Sequence, residues 1–163
     1  MADFNKALDY HQKATQELKR LGGKEFMVTL QVHAGLGNLA LGNVEVARTA
    51  SQEALRLLKE NTGTQVGLDD QAGIFQLLGQ LAQHEEQHAR AGYYYQRAID
   101  LLQKSNRPLP AARTMLKVVE LLIVENNKLE AKKWLQQADI VFHKYNSTHE
   151  FAMVEALRKE LVD

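Results

Sequence analysis

Pairs of alanines seven residues apart recur along the chain: Ala7 and Ala14, Ala47 and Ala54, Ala91 and Ala98, Ala131 and Ala138. The offsets between successive pairs are 40 (47 − 7), 44 (91 − 47) and 40 (131 − 91), so a unit of near-constant length repeats. On a helix, residues seven apart lie almost on one line, and side chains as small as alanine there let a second helix approach closely. Twelve residues before the alanine that opens each later pair stand Gly35, Gly79 and Val119, each inside an apolar helical stretch. Every unit therefore holds two helices, and the second carries the alanines.

Composition agrees with a helical chain. The 163 residues contain only two prolines, Pro108 and Pro110, and long stretches are rich in Ala, Leu, Gln, Glu, Lys and Arg. The nearest thing to a strand, Val118 to Val124, is flanked by helix formers and fits a buried helix better. Gly22 and Gly23 are expected to stop an opening helix, Gly42 and Asn43 to turn the chain between helices, and Asp69 or Asp70 to cap the helix that follows. Pro110 suits a first helical turn. Ser147 or Thr148 is expected to cap a last helix whose Phe151, Val154, Leu157 and Leu161 form one apolar stripe.

The middle unit is the clearest, with Phe75, Leu78, Gly79 and Ala82 in its first helix and Ala91, Tyr95 and Ala98 in its second. It resembles the tetratricopeptide repeat: an aromatic, Leu-Gly and a fourth apolar residue, then Ala, aromatic, Ala. The first unit keeps Ala34, Gly35, Ala47 and Ala54 but has Gln31 and Ser51 where large residues are usual. The third has Met115, Val118, Val119, Leu122, Ala131, Leu135 and Ala138, without the glycine. None ends in the family's proline, and the unit exceeds the roughly 34 residues typical of it. The extra length is assigned to extended second helices and to the connections Asn61 to Gly67, Ser105 to Pro110 and Tyr145 to Thr148. Such longer units resemble those of bacterial signalling regulators and motor-adaptor arrays. The resemblance implies an all-α fold, a right-handed superhelical array of antiparallel helix pairs, closed by a capping helix. One domain over 1–163 is expected to contain a half-unit (1–23), units at about 24–67, 68–107 and 108–146, and the cap (147–163), eight helices in all.

Several function classes lose support. With 20 basic and 20 acidic residues the chain has zero formal net charge, whereas neutralising a row of phosphates needs a local excess of Lys and Arg, so no nucleic-acid partner is expected. There is no cysteine, which removes thiol chemistry and the ligand most structural zinc sites use. Met1 to Arg20 is charged throughout, and no stretch approaches a membrane span, so a soluble cytoplasmic protein without a membrane partner is expected.

The one string that resembles catalytic machinery is His84-Glu85-Glu86-Gln87-His88, which matches the His-Glu-x-x-His zinc signature. That chemistry needs both histidines on one uninterrupted helical face, a third ligand, and the glutamate beside a metal-bound water. The repeat register instead puts the string at the turn between paired helices, since Ala40 to Val44 of the first unit corresponds to it. No metal, cofactor, catalytic residue or enzymatic activity is therefore expected. His11, His33, His143 and His149 have no mutual spacing that suggests a ligand set. Among Tyr93, Tyr94 and Tyr95, the register makes Tyr95 an interhelical filler and leaves the other two at the surface or loop edge. Trp134 is either core packing or an exposed anchor.

In the tetratricopeptide arrangement the first helix of each pair lines a concave face. At about 100° per residue, positions three before, one after and four after the glycine point to one side of it. They are Val32, Leu36 and Leu39, then Gln76, Gln80 and Gln83, then Leu116, Glu120 and Ile123, with Arg113 one turn earlier. The expected groove is apolar at both ends and amide-rich in the middle. Glutamines there either pair with the backbone of a bound peptide or simply solvate the face. The basic and Asn residues with which the family holds a C-terminal carboxylate are missing, only Arg113 and Lys117 standing in. A protein or peptide ligand is thus the expected partner, in a scaffold or in a peptide-sensing domain of a bacterial regulator, with self-association a third possibility.

Overall fold

The computed structural model describes residues 9–10, 13–18, 20, 26–60 and 66–162. Ala7, His11, the expected stop at Gly22 and Gly23 and most of the connection from Asn61 lie outside the described residues. Helical backbone at 9–10, 13–18 and 20 is followed by α1 (Met27–Ala40), α2 (Val44–Glu60), α3 (Leu68–His84), α4 (His88–Lys104), α5 (Pro108–Val124), α6 (Lys128–Lys144), a 3-10 turn (Thr148–Glu150) and α7 (Phe151–Glu160). Among the described residues there is no strand, and no helix is long and apolar enough to cross a membrane. The helices pack in adjacent pairs, α1 with α2, α3 with α4 and α5 with α6, while α7 packs on α6 and α5.

One turn geometry explains the repeat length. The helices α2 to α6 each have 17 residues. Left-handed backbone recurs at Gly42 (φ 79°), Glu86 (58°), Asn106 (57°), Asn126 (56°) and Asn146 (51°). The last four stand 20 apart (106 − 86, 126 − 106, 146 − 126), so a helix of 17 residues and a turn of three make half of a 40-residue unit. At each turn the left-handed residue donates to a carbonyl three back and the next residue to one five back, as Glu86 N–H does to Gln83 and Gln87 N–H to Ala82. This is the Schellman arrangement, which satisfies carbonyls that a helix end leaves open. The 44-residue offset comes from the connection 61–67, seven residues long instead of three.

These facts correct the expected placement of the extra length. First helices α3 and α5 are as long as their partners, and Ser105–Arg107 and Tyr145–Ser147 are the same short turns as those inside pairs. The caps differ too. Gly67 precedes α3 as its N-cap, while Asp69 and Asp70 sit in the first turn, where negative charge favours the helix dipole. Asp70 accepts from the Thr29 hydroxyl, and Asp69 accepts from Ser105 and forms an ion pair with Arg107. Ser147 leads the 3-10 turn and donates to the Glu150 carboxylate at 2.6 Å, so its hydroxyl caps no backbone N–H. Pro108 and Pro110 both fall in the first turn of α5.

The alanine positions are fully buried in the three later pairs: Ala47 and Ala54, Ala91 and Ala98, Ala131 and Ala138. A Cβ built on Gly79 would lie 2.6 Å from the Tyr95 ring, so the glycine lets the paired helix lay that fully buried ring against it. Gly35, the register equivalent of Gly79, does not meet its own paired helix: a Cβ there would collide with Leu77 of α3. Ser51 stands 16 residues after Gly35 as Tyr95 does after Gly79, and it is too small to cover the glycine. Its buried hydroxyl donates to the Arg48 carbonyl instead. The first helix of the next unit takes the space.

Candidate functional site: the shared face of the first helices

Three depressions lie on the side of the molecule formed by α1, α3 and α5. The first, about 250 Å³, lies between α1 and α3 and is lined by Val32, His33, Leu36, Asp70 and Gln76 among others. The second, about 260 Å³, draws Leu39 from α1, Gln80, Gln83 and His84 from α3, and Lys117 and Glu120 from α5. The third, about 440 Å³, is enclosed by Arg113, Leu116 and Lys117 of α5 with His149, Glu150 and Met153 at the start of the capping segment. Of the residues chosen from sequence, all but Ile123 line one of them. Ile123 is half-buried and packs against the core.

Depth separates these residues into distinct kinds. Val32 and Leu116 are nearly inaccessible, at 4% and 1% exposure, and form the floors of their depressions. They hold the helices together and offer a ligand little contact area. Leu36, Leu39, Gln76, Gln80, Gln83 and Glu120 are half-buried, and Arg113 is exposed.

The three glutamines are not equivalent. Gln76 donates from Nε2 to the buried Thr114 hydroxyl at 2.7 Å, joining α3 to α5, and Thr114 in turn donates to the Pro110 carbonyl. Gln83 accepts from the Tyr95 phenol at 2.7 Å. Burial raises the Tyr95 pKa, with Glu120 nearby adding to it, so the phenol stays a donor. The Gln80 side chain makes no hydrogen bond among the described residues and opens into the middle depression. It is the one amide of the three free to serve a ligand.

Charge on this face is mostly spent within it. Lys117 Nζ donates to both carboxylate oxygens of Glu120 at 2.9 Å. Arg113 Nε donates to Oε1 of the buried Glu150 at 2.6 Å, while Ser147 holds the other oxygen. The Ser147 hydrogen bond, then Arg113, hold the Glu150 carboxyl below its ordinary pKa against the opposing effect of burial. A partner's free carboxylate therefore finds both cations of the third depression already engaged, and its floor favours an apolar side chain.

His149 and Met153 were not selected from sequence. They belong to the capping segment, which has no counterpart in the other units, so the repeat register could not locate them. The His-Glu-x-x-His string lies at the α3–α4 turn, His84 ending one helix and His88 opening the next with left-handed Glu86 between them. Among the described residues no three His, Cys, Asp or Glu side chains converge as a metal-binding group. Trp134 is half-buried and packs against the C-terminal core.

No family model and no curated protein matches the chain. The crystal structure of BtubC (BKLC) from P. vanneervenii superimposes with a TM-score of 0.67 at 14% identity, covering 97% of this chain and 72% of that one. At that identity the likeness is one of fold alone.

Proposed function

We propose that this chain is a tetratricopeptide-like interaction module that holds an extended segment of another protein along the shared face of α1, α3 and α5. The observation that carries the reading is the row of three depressions on successive first helices, with an unpartnered amide, Gln80, at its centre. Peptide recognition of this kind uses a donor-acceptor group for the backbone and flanking apolar recesses for side chains. Leu36 in the first depression, with Leu39 beside Gln80 in the second, offers such a recess on one side, and exposed Met153 over the buried floor of the third offers one on the other. The buried alanine pairs and the Tyr95 ring against Gly79 support the family reading, and the 20-residue helix-and-turn period marks where it departs from the usual repeat.

A photo-crosslinking residue placed at Gln80 tests this in extract of the native cell, with the same residue at Gln137 on exposed α6 as control. The reading expects a discrete crosslinked partner peptide from position 80 alone, whose affinity falls at least about tenfold when Leu39 and Gln80 are replaced by Asp and Arg. Crosslinking only from position 137, or unchanged affinity in the double variant, removes the face from the site.

A further inference from the structure

Six of the eight arginines pair with carboxylates: Arg20, Arg48, Arg56, Arg107, Arg113 and Arg158. Among the described residues the two that do not are Arg90 and Arg97, both exposed and both on α4. They bracket Tyr93 and Tyr94 in the order i, i+3, i+4, i+7, which puts all four on one stripe of the helix. At 1.5 Å of rise per residue the two arginines stand roughly 10 Å apart along the axis.

Aromatic rings hold these guanidinium groups without neutralising them. Arg97 lies 5.7 Å from the centroid of the Phe75 ring, and Arg90 lies 5.9 Å from that of Tyr94 and donates to its hydroxyl at 3.4 Å. Phe75 and Tyr94 are themselves 6.2 Å apart, and Tyr93 meets Tyr94 edge-on at 5.6 Å. The result is a ladder running Arg97, Phe75, Tyr94, Arg90, with Tyr93 exposed beside it at 60%. A cation over a ring keeps its full charge, and the ring contact favours one orientation before any ligand arrives. Exposed tyrosine and arginine together are the composition enriched at the energetic centres of protein interfaces. No residue of the stripe lines the three depressions.

We infer that this stripe is a second docking surface, which takes an acidic protein segment whose two carboxylates, about 10 Å apart, meet Arg90 and Arg97 across Tyr93 and Tyr94. Charge complementarity selects that occupant, since among the described residues no carboxylate pairs with either arginine. It also disfavours a phosphate backbone. Two cations are too few for a row of phosphates, and exposed Glu86 and half-buried Asp100, the latter accepting from Gln96, stand at the two ends of the stripe.

The test is selection of random dodecapeptides displayed on phage by the intact chain, followed by titration of the best peptide by fluorescence anisotropy. The expected result is enrichment of peptides with two spaced Asp or Glu residues, whose affinity drops about tenfold or more in R90Q/R97Q and weakens with added salt. Thermal stability of that variant should be unchanged, because both side chains are exposed. A variant with Gln80→Ala should bind these peptides normally, which separates this surface from the proposed groove. Absence of acidic enrichment, or enrichment indifferent to R90Q/R97Q, overturns the inference. So does a single-stranded oligonucleotide or an anionic phospholipid vesicle that binds the wild type through Arg90 and Arg97 more tightly than any selected peptide.

Discussion

Leu77 of α3 is seated on Gly35 of α1, and Val32 of α1 returns the contact on Gly73 of α3, where an added Cβ would lie 3.0 Å from its methyl group. Two glycines on facing helices thus receive two branched side chains, and this exchange draws the first helices of neighbouring units together.

That contact gives two glycines of α1 opposite roles. Gly35→Ala should destabilise the chain by about 1 to 3 kcal/mol, since the new methyl collides with the Leu77 side chain, which is fully buried and must shift within the core. Gly37→Ala, two residues on, meets nothing within 4 Å and should stabilise by roughly 0.5 to 1 kcal/mol through helix propensity. Denaturant midpoints of the two variants should move in opposite directions. A shift of the same sign in both would remove the packing account.

Glu86 is the odd member of the turn series. Its counterparts are Gly42 and three asparagines, residues that tolerate left-handed backbone, whereas glutamate pays a steric penalty there of about 1 kcal/mol. Glu86→Asn should raise the urea midpoint by an amount equivalent to roughly 0.5 to 1 kcal/mol. Asn126→Glu should lower it by a similar amount.

Much of this was legible in sequence because small residues at fixed spacing leave a clear mark. The alanine pairs located the second helices, and Gly79 with Tyr95 located one interhelical contact. Gly35 was misread because the period predicts equivalence between units, while Ser51 lacks the bulk that makes Gly79 and Tyr95 a pair. The face of the first helices was chosen by angle alone, and angle says nothing of depth: Val32 and Leu116, chosen with the rest, are nearly inaccessible. Arg113 lines the third depression, but its partner Glu150 lies 37 residues away across a segment without a repeat counterpart, which the period could not locate.

Glu150 makes the capping segment sensitive to acid. Its carboxyl titrates below the ordinary value of 4.5 in the folded chain, so its contribution to stability is complete above about pH 4.5 and is lost as pH falls through the lower folded value. Glu150→Gln should cost about 1 kcal/mol at neutral pH, since the charge-assisted bond from Arg113 is weakened. The variant should also lose the part of the acid-induced decline that this group causes. Thermal unfolding from pH 3 to 7, followed through Trp134 on α6, measures both effects. Parallel curves for wild type and variant would contradict the assignment.

Gln76 and Gln80 lie four residues apart on the same face, and their surroundings set them opposite tasks. Gln76→Ala removes the donor that joins α3 to the buried Thr114 hydroxyl, which keeps only its own bond to Pro110. Stability should fall by about 1 kcal/mol, the usual net worth of one partly buried hydrogen bond. Gln80→Ala removes no hydrogen bond seen among the described residues, so its unfolding midpoint should stay within about 0.5 kcal/mol of wild type. Its effect should appear only with the partner recovered by crosslinking: calorimetry should show an affinity loss of roughly five- to tenfold, the scale of one hydrogen bond at a desolvated contact. The two single variants separate structure from recognition more sharply than the double replacement would, because the double variant mixes a loosened α3–α5 junction with a lost ligand contact. If Gln80→Ala destabilises the chain as much as Gln76→Ala while binding stays intact, the amide is a structural member of the face and peptide recognition must lie in the apolar recesses alone.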